Sequence, residues 1–160
     1  MSSVRFVFPK LKLDQMIRAS GGRAVADLLV QANANLDTLK PTCRDELLTL
    51  LGEAEQGFGG RGAEACDQDL ASLYAIAARG IGAGAVCGAP DVDDALGSFC
   101  DLINALQSTG RRDTTPLGVH LHAWRLLMNP DLSRPAAAAI VEGLRKVSAH
   151  YAQPVAVLLR

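Results

Sequence analysis

The groups in this sequence that could do chemistry are few and scattered. Three histidines stand at 120, 122 and 150, and four cysteines at 43, 66, 87 and 100. His120 lies in Val119-His120-Leu121-His122-Ala123-Trp124, one turn before Trp124 on the same helix face. An imidazole in a groove between helices becomes a nucleophile or general base when its surroundings move its pKa. No Ser, Cys or carboxylate at a telling spacing accompanies His120, and Asp113 lies across the helix start. The favoured reading is a His whose ring nitrogen bonds a backbone carbonyl or side chain of a neighbouring helix, with His120 kept as a weak catalytic candidate. His122 diverges from it by about 200° on the 3.6-residue repeat, so the two make a poor metal pair. His150 suits the negative end of a last helix.

The remaining sets are structural. The cysteines form no C-x-x-C pair, which argues against a zinc knuckle or a thioredoxin-type site. Cys87 and Cys100 read as small, reduced core residues. Asp45-Glu46 and Asp91/Asp93/Asp94 stand at helix starts, where negative charge is stabilising on its own. The glycine-rich loop at 57–62 has no preceding strand and no following Lys-Ser or Lys-Thr, so it fails as a phosphate loop. No metal and no cofactor is expected.

Composition then bounds the scaffold that positions these groups. The 160 residues suit one domain spanning 1–160 with one core. Hydrophobic residues make up 49% but aromatics only 4%, which favours closely packed helices built on Leu and Ala over a sandwich. A net charge of -1 offers no basic excess, so nucleic acid is excluded as an expected partner. No window reaches the apolar length of a membrane span, and residues 1–10 are too polar for a signal peptide. The expectation is a soluble cytoplasmic protein without membrane insertion.

The fold class expected is all-α: an antiparallel four-helix bundle core with one or two additional helices. Residues 1–20 form an N-terminal arm, with a short edge strand or extended piece at 4–8. A first helix over about 23–39 carries Val25, Leu28, Leu29, Ala32, Leu36 and Leu39 as one stripe. Pro41 opens a second helix, with Leu47, Leu48, Leu50 and Leu51, to about 56. A third begins near Asp67 or Asp69 and carries Leu70, Leu73, Ile76, Ala77 and Ile81 on one side. Its latter half contains Gly80, Gly82 and Gly84, each costing roughly 0.5–1 kcal/mol in a helix interior. Close approach of a neighbour, or a surface left low for a partner, would explain them. Gly88 and Pro90 end it, and Asp91 or Asp93 caps the next. Val92, Ala95, Leu96, Phe99, Cys100, Ile103 and Leu106 then form the cleanest apolar stripe of the chain. The two elements are so close in sequence that they must pair as an antiparallel hairpin over 69–107. Thr115-Pro116 and Ser133 with Pro135 start the last two helices, and the tail at 154–159 is apolar.

Ala77-Ala78-Arg79-Gly80-Ile81-Gly82 through Gly88, followed by this amphipathic helix, resembles the two central helices of a histidine-phosphotransfer (HPt) domain. In that motif Gly82 and Gly88 match the two glycines, Ala78 falls where the phosphorylated His stands, and Ile81 replaces the Lys. The resemblance implies that Gly82 lets a response-regulator receiver domain approach, while Ala78 cannot accept phosphate and Ile81 cannot offset its charge. Arg79 points about 100° away from the missing His and is an imperfect substitute. A second resemblance covers most of the chain. The series Gly21-Gly22-x-Ala-Val, Ala32-Asn33-Ala34-Asn35-Leu36, Leu39-Lys40-Pro41 and Val119-His120-Leu121-x-x-Trp124-Arg125 is similar to the alphaproteobacterial chemotaxis-locus family CheE.

Together these imply a non-catalytic HPt-like adaptor whose surface at Ala78, Arg79, Gly82 and Cys87 binds a receiver domain or a histidine kinase. Two alternatives stand beside it: an active phosphotransfer protein using His120, and a structural helical homodimer.

Overall fold

The computed structural model describes residues 22–59 and 64–153. The readings for 1–20, for 60–62 and for the tail at 154–159 lie outside the described residues. The chain is all-α. Among the described residues there are six helices: α1 Val25–Phe58, α2 Asp67–Gly80, α3 Ala83–Cys87, α4 Pro90–Thr109, α5 Thr115–Leu127 and α6 Arg134–Ala152. Glu64 and Asp113 form an isolated antiparallel bridge.

Two compact units are distinguished, Met1–Asn35 and Leu36–Arg160. In the first, the start of α1 leaves Val25 72% and Val30 70% exposed, with Leu28 and Leu29 about half exposed. Arg23 donates to Gln31 Oε1 at 2.6 Å.

The second unit holds the core, and α4 is its central element, packing against α2, α3, α5 and α6. Its expected stripe is buried throughout, from Val92 to Leu106. Leu47, Leu50, Leu51 and Ala54 of α1, Leu70, Leu73 and Ala77 of α2, Leu117, Leu121 and Trp124 of α5, and Val141 and Leu144 of α6 complete one cluster. The α2–α4 pair is antiparallel. The C-terminal Gly80 of α2 lies against Leu96 near the start of α4, while Ala65 N–H, just before α2, donates to Arg112 O just after α4. Gly80 is fixed by packing: a Cβ there would lie 2.9 Å from Leu96 Cδ1 and 3.2 Å from Leu47 Cδ2.

Local signals set most helix ends. Asp69 accepts from Cys66 N–H at 2.9 Å, satisfying an orphan donor at the start of α2. Ser133 Oγ accepts from Ala136 N–H as the expected cap of α6.

Three expectations are corrected. The break at Pro41 does not occur: α1 is continuous across it. Pro41 is exposed, so water can solvate the carbonyl its ring leaves unbonded, and the buried leucines that follow hold the C-terminal half in place. The stripe over 25–39 does not form a core face, since Leu36 and Leu39, like the residues before them, are about half exposed.

The third expected helix is also shorter than its periodicity suggests. It stops at Gly80, Ile81 is extended, Gly82 adopts φ 96°, and α3 then starts afresh.

Candidate functional site

The segment 80–93 is where the HPt-like motif falls, and beyond the packed Gly80 its glycines serve either a left-handed turn or a close approach. Gly82 takes a left-handed conformation that L side chains rarely adopt. Gly84 allows close approach, since a Cβ there would lie 2.7 Å from Ala89 O and 2.8 Å from Asp93 Oδ1. Gly88, at φ 84°, closes α3, its N–H reaching Ala85 O.

The turn between α2 and α3 forms a cradle of amides filled from within the chain. Asp93 Oδ1 accepts from Gly82 N–H at 2.9 Å and Gly84 N–H at 3.0 Å, and Oδ2 accepts from Ala85 N–H at 2.7 Å. The acid expected to cap α4 therefore caps α3 instead, and Ala89 takes the N-cap position of α4. Three amides pointing at one carboxylate, at a helix start, make a charge-assisted cap.

Of the four residues assigned to partner binding, three are exposed and one is not. Ala78, Arg79 and Gly82 face solvent, while Cys87 is half buried and donates weakly to Gly84 O at 3.4 Å. Arg79 reaches across to α1, meeting Glu46 Oε1 at 3.2 Å and Glu53 Oε2 at 3.4 Å. Both pairs are solvent exposed, so the triad contributes little stability. Ile81, expected on the inner face, is 49% exposed because the chain leaves helical geometry there. Ala71, Tyr74 and Ala78 share helical spacing and are all exposed, giving α2 an uncharged outer strip that exposed Ile81, the residue just past its end, continues. Sequence reasoning missed Ala71 and Tyr74, although their i, i+3, i+7 spacing to Ala78 was readable.

His120 sits elsewhere, inside the core, 2% exposed. Its Nδ1–H donates to Pro116 O at 2.9 Å, which fixes the tautomer and leaves Nε2 as the acceptor. Ser98 Oγ of α4 lies 3.2 Å from Nε2, and Ser148 Oγ of α6 lies 2.9 Å from Ser98 Oγ and 3.4 Å from Nε2. Ser148 also reaches the Ser98 and Leu144 carbonyls. Phe99 stacks on the ring at 5.5 Å. Burial pushes the His120 pKa below its ordinary value, opposed by the bond to Pro116 O.

A hydroxyl on imidazole Nε2 is the arrangement of a nucleophile and its base. Here the other nitrogen is held by a backbone carbonyl, and both hydroxyls are buried in the network. Its geometry ties α4, α5 and α6 into one register through fully partnered polar groups. Asp113 does not approach His120; it accepts from Tyr151 Oη at 2.7 Å and from Thr115 N–H, which together lower its pKa. His122 is exposed, its Nδ1 bonded to Gly118 O.

Among the described residues no group of His, Cys, Asp and Glu could hold a metal ion, and no helix is long and apolar enough to cross a membrane. No protein-family model, curated protein or solved structure matches the chain.

Proposed function

We propose that the chain is a non-catalytic, HPt-like adaptor that binds the receiver domain of a response regulator. The observation that carries this reading is the uncharged strip Ala71–Tyr74–Ala78 on the outside of α2, continued past its end by exposed Ile81 and open Gly82. The HPt resemblance puts the phosphorylated His at Ala78, within that strip. A face without charge, half-exposing Tyr74 and Ile81, is suited to docking against a protein surface. The adaptor holds no phosphate there, since alanine has no nucleophile. His120, with its ring buried and both nitrogens bonded, has no open path to an aspartyl phosphate. The CheE resemblance supplies the setting, a chemotaxis or two-component system in which the partner is a receiver domain or its histidine kinase.

The test is titration with candidate receiver domains, with and without a beryllofluoride phosphate mimic. Binding is expected, and Ala78→Arg should weaken it at least ten-fold while leaving the fold intact. Unchanged affinity in that variant would remove the strip from the interface. Acid-labile radiolabel on the chain, lost in His120→Ala, would overturn the non-catalytic reading.

The homodimer reading is kept because one observation favours it. The N-terminal part of α1 leaves Val25, Leu28, Leu29 and Val30 exposed, an apolar surface of the kind that a second copy could cover. Sedimentation equilibrium decides it: a dimer dissociated by Leu28→Glu with Leu29→Glu supports self-association, and a monomer at micromolar concentration refutes it.

A further inference from the structure

The basic side chains of the larger unit divide into two sets. Among the described residues of 36–160, every lysine and arginine but two faces a carboxylate or, for Arg111, the ring of Tyr151. The two exceptions are Arg44 and Arg134, and both line the same cleft of about 640 Å³. Its walls come from α1, the α3–α4 turn, the α5–α6 connection and the first turns of α6. That volume is in the range of small-molecule sites, about 300–1,000 Å³.

The lining is amphipathic. Pro90, Leu127, Met128, Leu132 and Ala137 supply apolar surface, and Asp91 is the single carboxylate beside the two guanidiniums. Arg44 is half buried and already positioned, because one Nη donates to Met128 O at 2.7 Å and its other N–H groups remain to be used. A guanidinium anchored in this way loses little freedom when it meets an oxyanion. Arg134 stands exposed at the opening helical turn of α6, where the helix adds partial positive charge.

We propose that this cleft binds a small organic oxyanion, a carboxylate or phosphate monoester carrying a compact apolar group. The two arginines take the oxygens in fork geometry and the apolar walls take the body of the ligand. Asp91 leaves the cleft at one net positive charge, which favours an anion over a neutral ligand of the same shape. The site is independent of the α2 strip, since none of Ala71, Tyr74, Ala78 and Ile81 lines it.

The test is a titration of the full chain, followed by amide NMR, with phenyl phosphate, benzoate, inorganic phosphate and neutral benzyl alcohol. Phenyl phosphate or benzoate should shift amides of residues 87–91 and 128–138, with benzyl alcohol at least ten-fold weaker. Arg134→Gln and Arg44→Gln should each weaken binding about ten-fold, the loss of one charge-assisted contact, whereas Arg145→Gln should not. If Arg44→Gln fails to fold, Arg134→Gln carries the test, its side chain being exposed. The proposal is overturned if neither phenyl phosphate nor benzoate shifts these amides by about 10 mM, an affinity already weaker than any specific site needs, or if inorganic phosphate binds as tightly as phenyl phosphate. Equal binding of benzyl alcohol, or of the arginine variants, would overturn it as well.

Discussion

Replacing Asp93 by Ala removes three hydrogen bonds with one substitution, and the structure sets the size of the loss. Gly84 is buried, so its N–H is left without a partner; an orphaned buried donor costs about 1–3 kcal/mol. The Gly82 and Ala85 amides are exposed and regain water, so their loss is that of a helix cap, about 1 kcal/mol. The sum is about 2–4 kcal/mol. For a chain of this size that corresponds to roughly 4–16 °C in the melting midpoint. Asp93→Asn keeps one acceptor oxygen and the shape, and should lose about half as much. Gly84→Ala should be comparably damaging from the other side, because its Cβ would displace the Ala89 carbonyl and the Asp93 carboxylate together. The two are coupled: once Asp93 is Ala, part of the steric conflict at Gly84 disappears, and the double variant should lose less than the sum. Thermal unfolding followed by circular dichroism measures the totals, and amide exchange at 82, 84 and 85 locates them. A midpoint for Asp93→Ala within 1 °C of the parent, or unchanged protection of these amides, would refute the cradle as the device that stops α2 and starts α3.

His120 gives a pH dependence with a definite sign. Its folded pKa is lowered by burial, so the unfolded chain takes up the proton first, and stability is retained above the ordinary His pKa and falls as pH drops below about 6.5. The slope is at most about 1.4 kcal/mol per pH unit for one group, read as urea midpoints between pH 7.5 and 5.5, and His120→Gln should flatten it. Ser98→Ala should cost about 1 kcal/mol because Ser148 can turn to Nε2, whereas Ser98→Ala with Ser148→Ala leaves that nitrogen bare and should cost more than the sum of the two single changes. Arg79→Gln should change stability by less than about 0.5 kcal/mol, since its glutamates are exposed; a larger loss in thermal melts would assign the triad a structural role.

Much of the core could be read from spacing. The α4 stripe and the inward leucines of α5 are buried as their periodicity requires, because a helix must bury an apolar face this continuous. The caps at Gly88 and Ser133 also follow from residue type. The site was less legible. Three glycines in a periodic run read as a helix with a low surface, yet two of them serve a carboxylate nine or more residues away, and such a partner has no local signature. The α1 stripe has the same spacing as a buried face and is exposed. Pattern fixes which side of a helix is apolar but not what covers it.

The sequence by itself determined an all-helical chain, most of its helix boundaries and the absence of a nucleophile at position 78. Those properties depend on interactions within a few turns. The tertiary structure decided that Asp93 caps α3, that His120 Nε2 meets two serines from other helices, and that Arg44 and Arg134 share a cleft. Each of these joins residues between about ten and ninety positions apart, and only the packing of elements distant in sequence brings them within hydrogen-bonding or lining distance.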